Sequence, residues 1–586
     1  MLRRILRWIL RAAATVLVLF IIAIVVDYFT HRVPSNAVLE IKLTGTLVER
    51  GNTNWLGALR GTDQTALNNV RSAIHNAERD QRIVGLSLKV IDPEMEMAQA
   101  QEIADAVAGF AKKGKWTAAY IETAGEFAPG NLAYMVASPA GEVSMMPQGE
   151  LNLVGIGMQE IFLRGALDWV GVRPDLYAIG KYKTAANMFL DKQMNDAQRE
   201  ADEGLIKSLY GQLTARIAAQ RHLEQSAVIA LINQAPFTAA DGLRNRLIDK
   251  LEYEDQFDDR IKNRDGTKHE TVDYLSYVRP RFLSGLHAAG GRIAVVYGSG
   301  EIDRGKGGYD PLLSPGGSSM GSDTMSDAFE QVRDDDSIKA VIFRIDSPGG
   351  SVVASELIRR EVELTAKKKP LVVSMSGYAA SGGYWVSTPA IKIIADPGTV
   401  TGSIGVLGGK FNVAPALAKL GVNTDSVSEG DNVTMFDSFT DFTPAQTAML
   451  RDRMLGDVYK QFVQRVAQSR HLSVDQVEKI AQGRVWTGEQ ALTFKLVDQL
   501  GDFDAALKEA KTQAKLPLDK PVELVSLPRQ PSLVEQVLGA GAVDSRAALG
   551  GALSGVLAPW LRLLREERIQ SGAAGALYCA HLPFVQ

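Results

Sequence analysis

The sequence predicts an α/β protein made of two tandem repeats of one unit, placed behind a single N-terminal transmembrane helix. Three observations carry this. Apolar, strand-like runs alternate with stretches of helical period, such as 354–367 and 447–468, the pattern of parallel strands joined by crossover helices. Residues recur across the two halves at a nearly constant offset of 250 or 249 positions. Residues 12–26 carry no charge and are dense in valine, leucine and isoleucine.

The apolar run alone spans roughly 22 Å as a helix, short of the ~30 Å hydrocarbon core. Trp8, Ile9 and Leu10 before it and Tyr28 and Phe29 after it close the gap, with Arg11 reaching back to the interface. Arg3, Arg4, Arg7 and Arg11 precede the run and only Arg32 follows closely. This asymmetry predicts a cytoplasmic N-terminus, with the chain beyond residue 30 across the membrane. No small-x-small cleavage site follows the run, which favours an uncleaved anchor over residues 8–30 against a removed signal peptide.

The repeat is read from a series of matches. Ala137-Ser138-Pro139-Ala140 lines up with Ser387-Thr388-Pro389-Ala390, and Gly171-Val172 with Gly421-Val422, at an offset of 250. At 249, Arg216-Ile217-Ala218 meets Arg465-Val466-Ala467, and Leu247-Ile248-Asp249 meets Leu496-Val497-Asp498. The expected organisation is a basic stub and anchor over 1–35, a first repeat over 36–280, a linker over 281–292, a second repeat over 293–526, and a tail over 527–586 without counterpart. Residues 303–323, rich in glycine and serine with Pro311 and Pro315, read as a long loop.

Composition excludes several functions. The 64 basic and 68 acidic side chains nearly balance, so no nucleic-acid footprint is expected. A single cysteine, Cys579, permits neither an intrachain disulfide nor a cysteine-based zinc site. The seven histidines are scattered, and no metal-binding or phosphate-loop motif is present, so no metal or organic cofactor is expected.

The most chemically loaded stretch is Ser374-Met375-Ser376-Gly377-Tyr378-Ala379-Ala380-Ser381-Gly382-Gly383-Tyr384-Trp385. A serine on a tight strand-to-helix turn exposes its Oγ, and adjacent glycines bring backbone N–H groups to a reacting oxygen. The same residues also suit a packing turn. The first half places Asn131, Leu132 and Ala133 opposite Ser381, Gly382 and Gly383. Asp346-Ser347-Pro348-Gly349-Gly350-Ser351 and Thr401-Gly402-Ser403-Ile404-Gly405-Val406 are likewise confined to the second half. No histidine lies between His287 and His471, and His471 pairs with His222, which marks it as part of the repeated helix. A lysine serves as base if burial favours its neutral form. The first half offers Gly180-Lys181-Tyr182-Lys183-Thr184-Ala185. On a strand Lys181 and Lys183 point the same way, so periodicity does not choose between them.

These motifs resemble the signal peptide peptidase A family of membrane-bound serine proteases, also called protease IV, in its long, duplicated form. The resemblance covers residues 36–525 and the anchor. It rests on Ala379-Ala380-Ser381-Gly382-Gly383-Tyr384-Trp385, Ser347-Pro348-Gly349-Gly350-Ser351-Val352, Thr401-Gly402-Ser403-Ile404-Gly405 and Gly180-Lys181-Tyr182-Lys183. It implies a fold related to the crotonase and Clp-protease spirals, with Ser381 as nucleophile and Lys183 as general base. It further implies that Ser403 orients the lysine amine and that Gly350 and Gly382 donate to the oxyanion. A homotetrameric ring at the bacterial inner membrane is implied, its catalytic domains periplasmic and its substrates cleaved signal peptides and other hydrophobic peptides. Two positions depart from the family pattern. Thr184-Ala185-Ala186-Asn187-Met188-Phe189 stands where Ser-Ala-Val-Glu-Pro-Phe is usual, and Asp346 replaces an asparagine. The alternatives are an acyl-CoA enzyme of crotonase type and an inactive membrane scaffold of the same fold.

Overall fold

The structure, a computed structural model, describes residues 33–51, 64–278, 290–307 and 319–529. The expected anchor, most of the linker, residues 308–318 of the glycine- and serine-rich loop, and the tail from residue 530 lie outside the described residues. No helix among the described residues is long and apolar enough to cross a membrane.

The described residues form two compact units. One takes in 33–51, 64–155 and 214–278, and the other 156–213, 290–307 and 319–529. The units are therefore not identical with the sequence repeats: residues 156–213, from the first repeat, fold with the second.

The first unit is built on a sheet ordered Thr271–Asp273, Ala37–Val48, Ile83–Glu94, Trp116–Ile121, Glu142–Met145 and Lys250–Leu251, with every neighbouring pair parallel. Helices Leu67–Arg79 and Met97–Lys112 make crossovers between its long strands. The second unit repeats this plan with Arg292–Ser299, Ile338–Ser347, Leu371–Ala380 and Lys392–Ala395 at its centre, again parallel. The reason lies in strand composition. In Ile338–Ser347, residues Ala340 to Phe343 and Ile345 are all fully buried. Val341, Phe343 and Ile345 share a cluster with Phe329, Ile358 and Val362, whereas Ala340 and Ile342 join Phe503, Ala506 and Ala510. Successive side chains thus enter cores on opposite faces, each covered by helices, and an unbroken apolar run is what such a strand requires.

Details outside the site recur as well. The hydroxyl of Tyr134 donates to the carbonyl of Leu247 at 2.5 Å, and that of Tyr384 to Leu496 at 2.7 Å. Arg221 pairs with Asp249 and Arg470 with Asp498. His222 and His471 follow matching helices with φ of 54° and 53°. They are helix ends in the left-handed region, which histidine tolerates better than most residues.

One pairing joins material from both repeats within the second unit. Strand Arg173–Ile179 runs antiparallel to Val406–Asn412, in register from Val406 opposite Ile179 to Asn412 opposite Arg173.

Candidate active site

Strand Leu371–Ala380 ends at Ser381, and helix Gly382–Ser387 begins directly after it. The reversal is sharp. Ser381 has φ 54° and ψ −112°, a conformation costly for any residue with a Cβ. Its N–H donates to the carbonyl of Gly402 at 2.8 Å, and its carbonyl accepts from Trp385 at 2.8 Å. Backbone bonds on both sides hold the turn, and Ser381 is fully buried.

A second turn packs against it. Strand Ile338–Ser347 leads into Pro348-Gly349-Gly350, and Ser351 caps helix Val352–Lys368 through its side chain. Gly349 and Gly350 have φ of 111° and 151°. A Cβ on Gly349 would lie 2.8 Å from the Gly382 nitrogen and 3.0 Å from Ser381 Cβ, so only glycine allows the approach. Among the described residues, the N–H groups of Gly350 and Gly382 donate to no acceptor.

The lysine segment reaches the site from the first repeat. Strand Arg173–Ile179 ends before Gly180, which has φ 115°. Lys181 and Lys183 therefore do not share a strand face, contrary to the period-two expectation. Lys181 is exposed, with its amine on the Tyr182 hydroxyl at 3.1 Å and Glu200 at 3.3 Å. Lys183 is 4 % exposed. Its Nζ lies 2.9 Å from Ser381 Oγ, 3.0 Å from Ser403 Oγ and 3.3 Å from the Ser403 carbonyl. Ser403, with φ 50°, is held by its N–H to the Arg484 carbonyl at 2.8 Å.

The loop Ala481–Arg484 is a strut that the sequence reading passed over. The Gln482 carbonyl accepts from Tyr182 N–H at 2.7 Å, and Gly483 N–H donates to Ile404 at 2.7 Å. The Arg484 guanidinium lies over the rings of Tyr182 and Trp486 and bonds Glu200 at 2.7 Å. One loop thus fixes both the backbone before Lys183 and the turn carrying Ser403.

The two departures from the family pattern are accommodated. Asp346 Oδ1 accepts from the Tyr378 N–H at 3.0 Å, below the serine turn. Asn187 begins the short helix Asn187–Leu190 and donates to Gln198 Oε1 at 3.0 Å. Gln198 in turn donates to Glu160.

Burial and the Glu160 charge push the nearby Asp202 carboxyl up to about 7. A carboxyl that binds its proton more tightly in the folded chain loses stability for the fold as pH rises from the ordinary value of 3.8 toward 7. Asp202→Asn is expected to remove that slope, gaining thermal stability over the wild type at pH 8 relative to pH 5. Parallel melting profiles across this range would overturn the assignment.

By what it is similar to, the chain is a serine peptidase, a hydrolase of peptide bonds. It is 31 % identical over 550 residues to the chloroplastic serine protease SPPA of Arabidopsis thaliana, covering 93 % of this chain and 78 % of that protein. It is 32 % identical over 544 residues to Protease 4 of Salmonella typhi, covering 89 % of this chain and 84 % of the relative. The model of peptidase family S49 matches residues 110–268 and 363–517, and the chain belongs to this family. Among solved structures, a mutant ClpP1 from Listeria monocytogenes aligns over 36 % of this chain and 94 % of its own, with 15 % identity and a TM-score of 0.24.

Proposed function

We propose that the chain is an endopeptidase with a Ser381–Lys183 dyad. The observation that carries the reading is the 2.9 Å contact between Lys183 Nζ and Ser381 Oγ. The reading requires a neutral lysine, and removal of an amine from water favours that form. Lys183 takes the Oγ proton as Ser381 attacks the peptide carbonyl carbon, and the N–H groups of Gly350 and Gly382 donate to the oxyanion. Lys183 then passes the proton to the departing amine as the C–N bond breaks, leaving an acyl-enzyme. Water, deprotonated by the same lysine, cleaves the ester and restores Ser381. Ser403 aims the amine through its hydroxyl. No metal or organic cofactor takes part.

In this reading the first repeat, 36–280, supplies the base, and the second, 293–526, supplies the nucleophile and oxyanion donors. The substrates are cleaved signal peptides and other hydrophobic peptides. The chain works as a homotetramer, held in the bacterial inner membrane by residues 8–30 with its catalytic domains in the periplasm. An active-site-directed acylating probe tests the chemistry. Peptide mapping is expected to find the label on Ser381 of the wild type. Labelling elsewhere, or none, would overturn the reading; an acyl-CoA enzyme or an inactive scaffold gives no label on Ser381.

A further inference from the structure

The antiparallel pairing of Arg173–Ile179 with Val406–Asn412 joins a strand of the first repeat to a strand of the second. At the repeat offset of 250, each has a counterpart: residues 423–429 for the first and 156–162 for the second. Among the described residues, neither counterpart lies in a strand or has a main-chain hydrogen-bond partner. Every residue of 423–429 is exposed. One chain therefore makes this pairing once and leaves one copy of each half of it open, and an open strand edge is a template for pairing.

The side chains around the open edges follow the same correspondence. Within the chain, Phe189 meets Phe411 edge to face, with centroids 5.2 Å apart. Their counterparts at 250 are Phe439 and Ile161, also apolar, and these are 44 % and 71 % exposed. Val427, counterpart of the paired Tyr177, is fully exposed. Apolar residues that are covered where the pairing forms stand in water where it does not.

We infer that residues 423–429 of one chain pair antiparallel with residues 156–162 of a second copy, bringing Phe439 against Ile161 of that copy. Transferring the observed register sets Val427 opposite Met158 and Asp425 opposite Glu160, where the internal pair sets Tyr177 opposite Gly408 and Asp175 opposite Lys410. The contact is head to tail, so each added copy presents the open edge that the previous one filled, as in a ring. At one position the like charges of Asp425 and Glu160 weaken a pair that the internal strand makes with opposite signs. This interface deepens the proposed self-association and is independent of the Ser381–Lys183 chemistry.

Directly opposed strand residues are within disulfide reach. Full chains carrying Cys579→Ser and either Met158→Cys or Val427→Cys are co-expressed and mildly oxidised. The expected product is a reducible two-chain band on a denaturing gel. A chain carrying both cysteines is expected to give a ladder of linked chains. No two-chain band, a double variant closed within one chain, or equal linkage when Val427→Cys is replaced by Thr424→Cys would overturn the inference. A chain that stays oligomeric by light scattering yet does not cross-link overturns this interface and leaves self-association standing. Asp425→Lys restores the opposite-sign pair and is expected to lower the concentration at which copies associate; an unchanged concentration would put Asp425 outside the contact.

Discussion

Lys183→Met is expected to lower hydrolysis of an apolar, signal-peptide-like substrate by at least ~10²–10⁴-fold, the usual worth of a positioned general base. Methionine keeps the length and apolar stem of lysine and removes the amine that contacts Ser381 and Ser403 at 2.9 and 3.0 Å. The loss is expected in kcat at unchanged fold, because the amine acts on the reacting proton and not on remote parts of the substrate. Ser381→Ala is expected to cost as much, and the double variant no more than either single one, since groups that act as a unit are not additive. Turnover like the wild type in Lys183→Met would remove the lysine from the mechanism. Activity lost in Ser381→Ala but kept in Lys183→Met would give the serine a different base.

Gly483→Ala tests the strut rather than the dyad. Gly483 has φ 80°, and a Cβ there would come within 2.4–2.5 Å of Lys183 N, Cα and Cβ. Backbone cannot yield as a flexible side chain can, so the lysine must move. A misplacement of about 1 Å at a reacting group costs ~10²-fold, and that loss is expected here in kcat. Gly114→Ala is the matched control. Its φ of 79° is nearly the same and nothing lies within 4 Å, so it carries only the conformational cost. Equal activity in the two variants would show that Gly483 does not set the lysine.

The sheet core was legible because fully buried parallel strands need continuous apolar runs, and Ile338–Ser347 supplies one. Ser381 was legible because small residues and glycines interrupt such a run at one hydroxyl. The choice between Lys181 and Lys183 was not open to periodicity, since it depends on the strand ending at Ile179 and turning at Gly180. Nor does chain order reveal that residues 156–213 fold with the second unit; that follows from the pairing with Val406–Asn412, a contact distant in sequence. Gly483 faces Gln234 at an offset of 249, which makes it a glycine of one half only. The same contrast marks Gly382, and it was the available signal for the strut.

The separation of Lys183 from Ser381 by 198 residues has a consequence for biosynthesis. At translation rates of 5–20 residues per second, roughly 10–40 s pass between the making of the lysine and of the serine. Ser403 and the strut at Gly483 follow later still. On the proposed chemistry, the growing chain carries no complete site until nearly all of it has been made. The order of the two copies along the gene thus acts as a delay, keeping a peptidase silent while its own chain is still unfolded and open to cleavage.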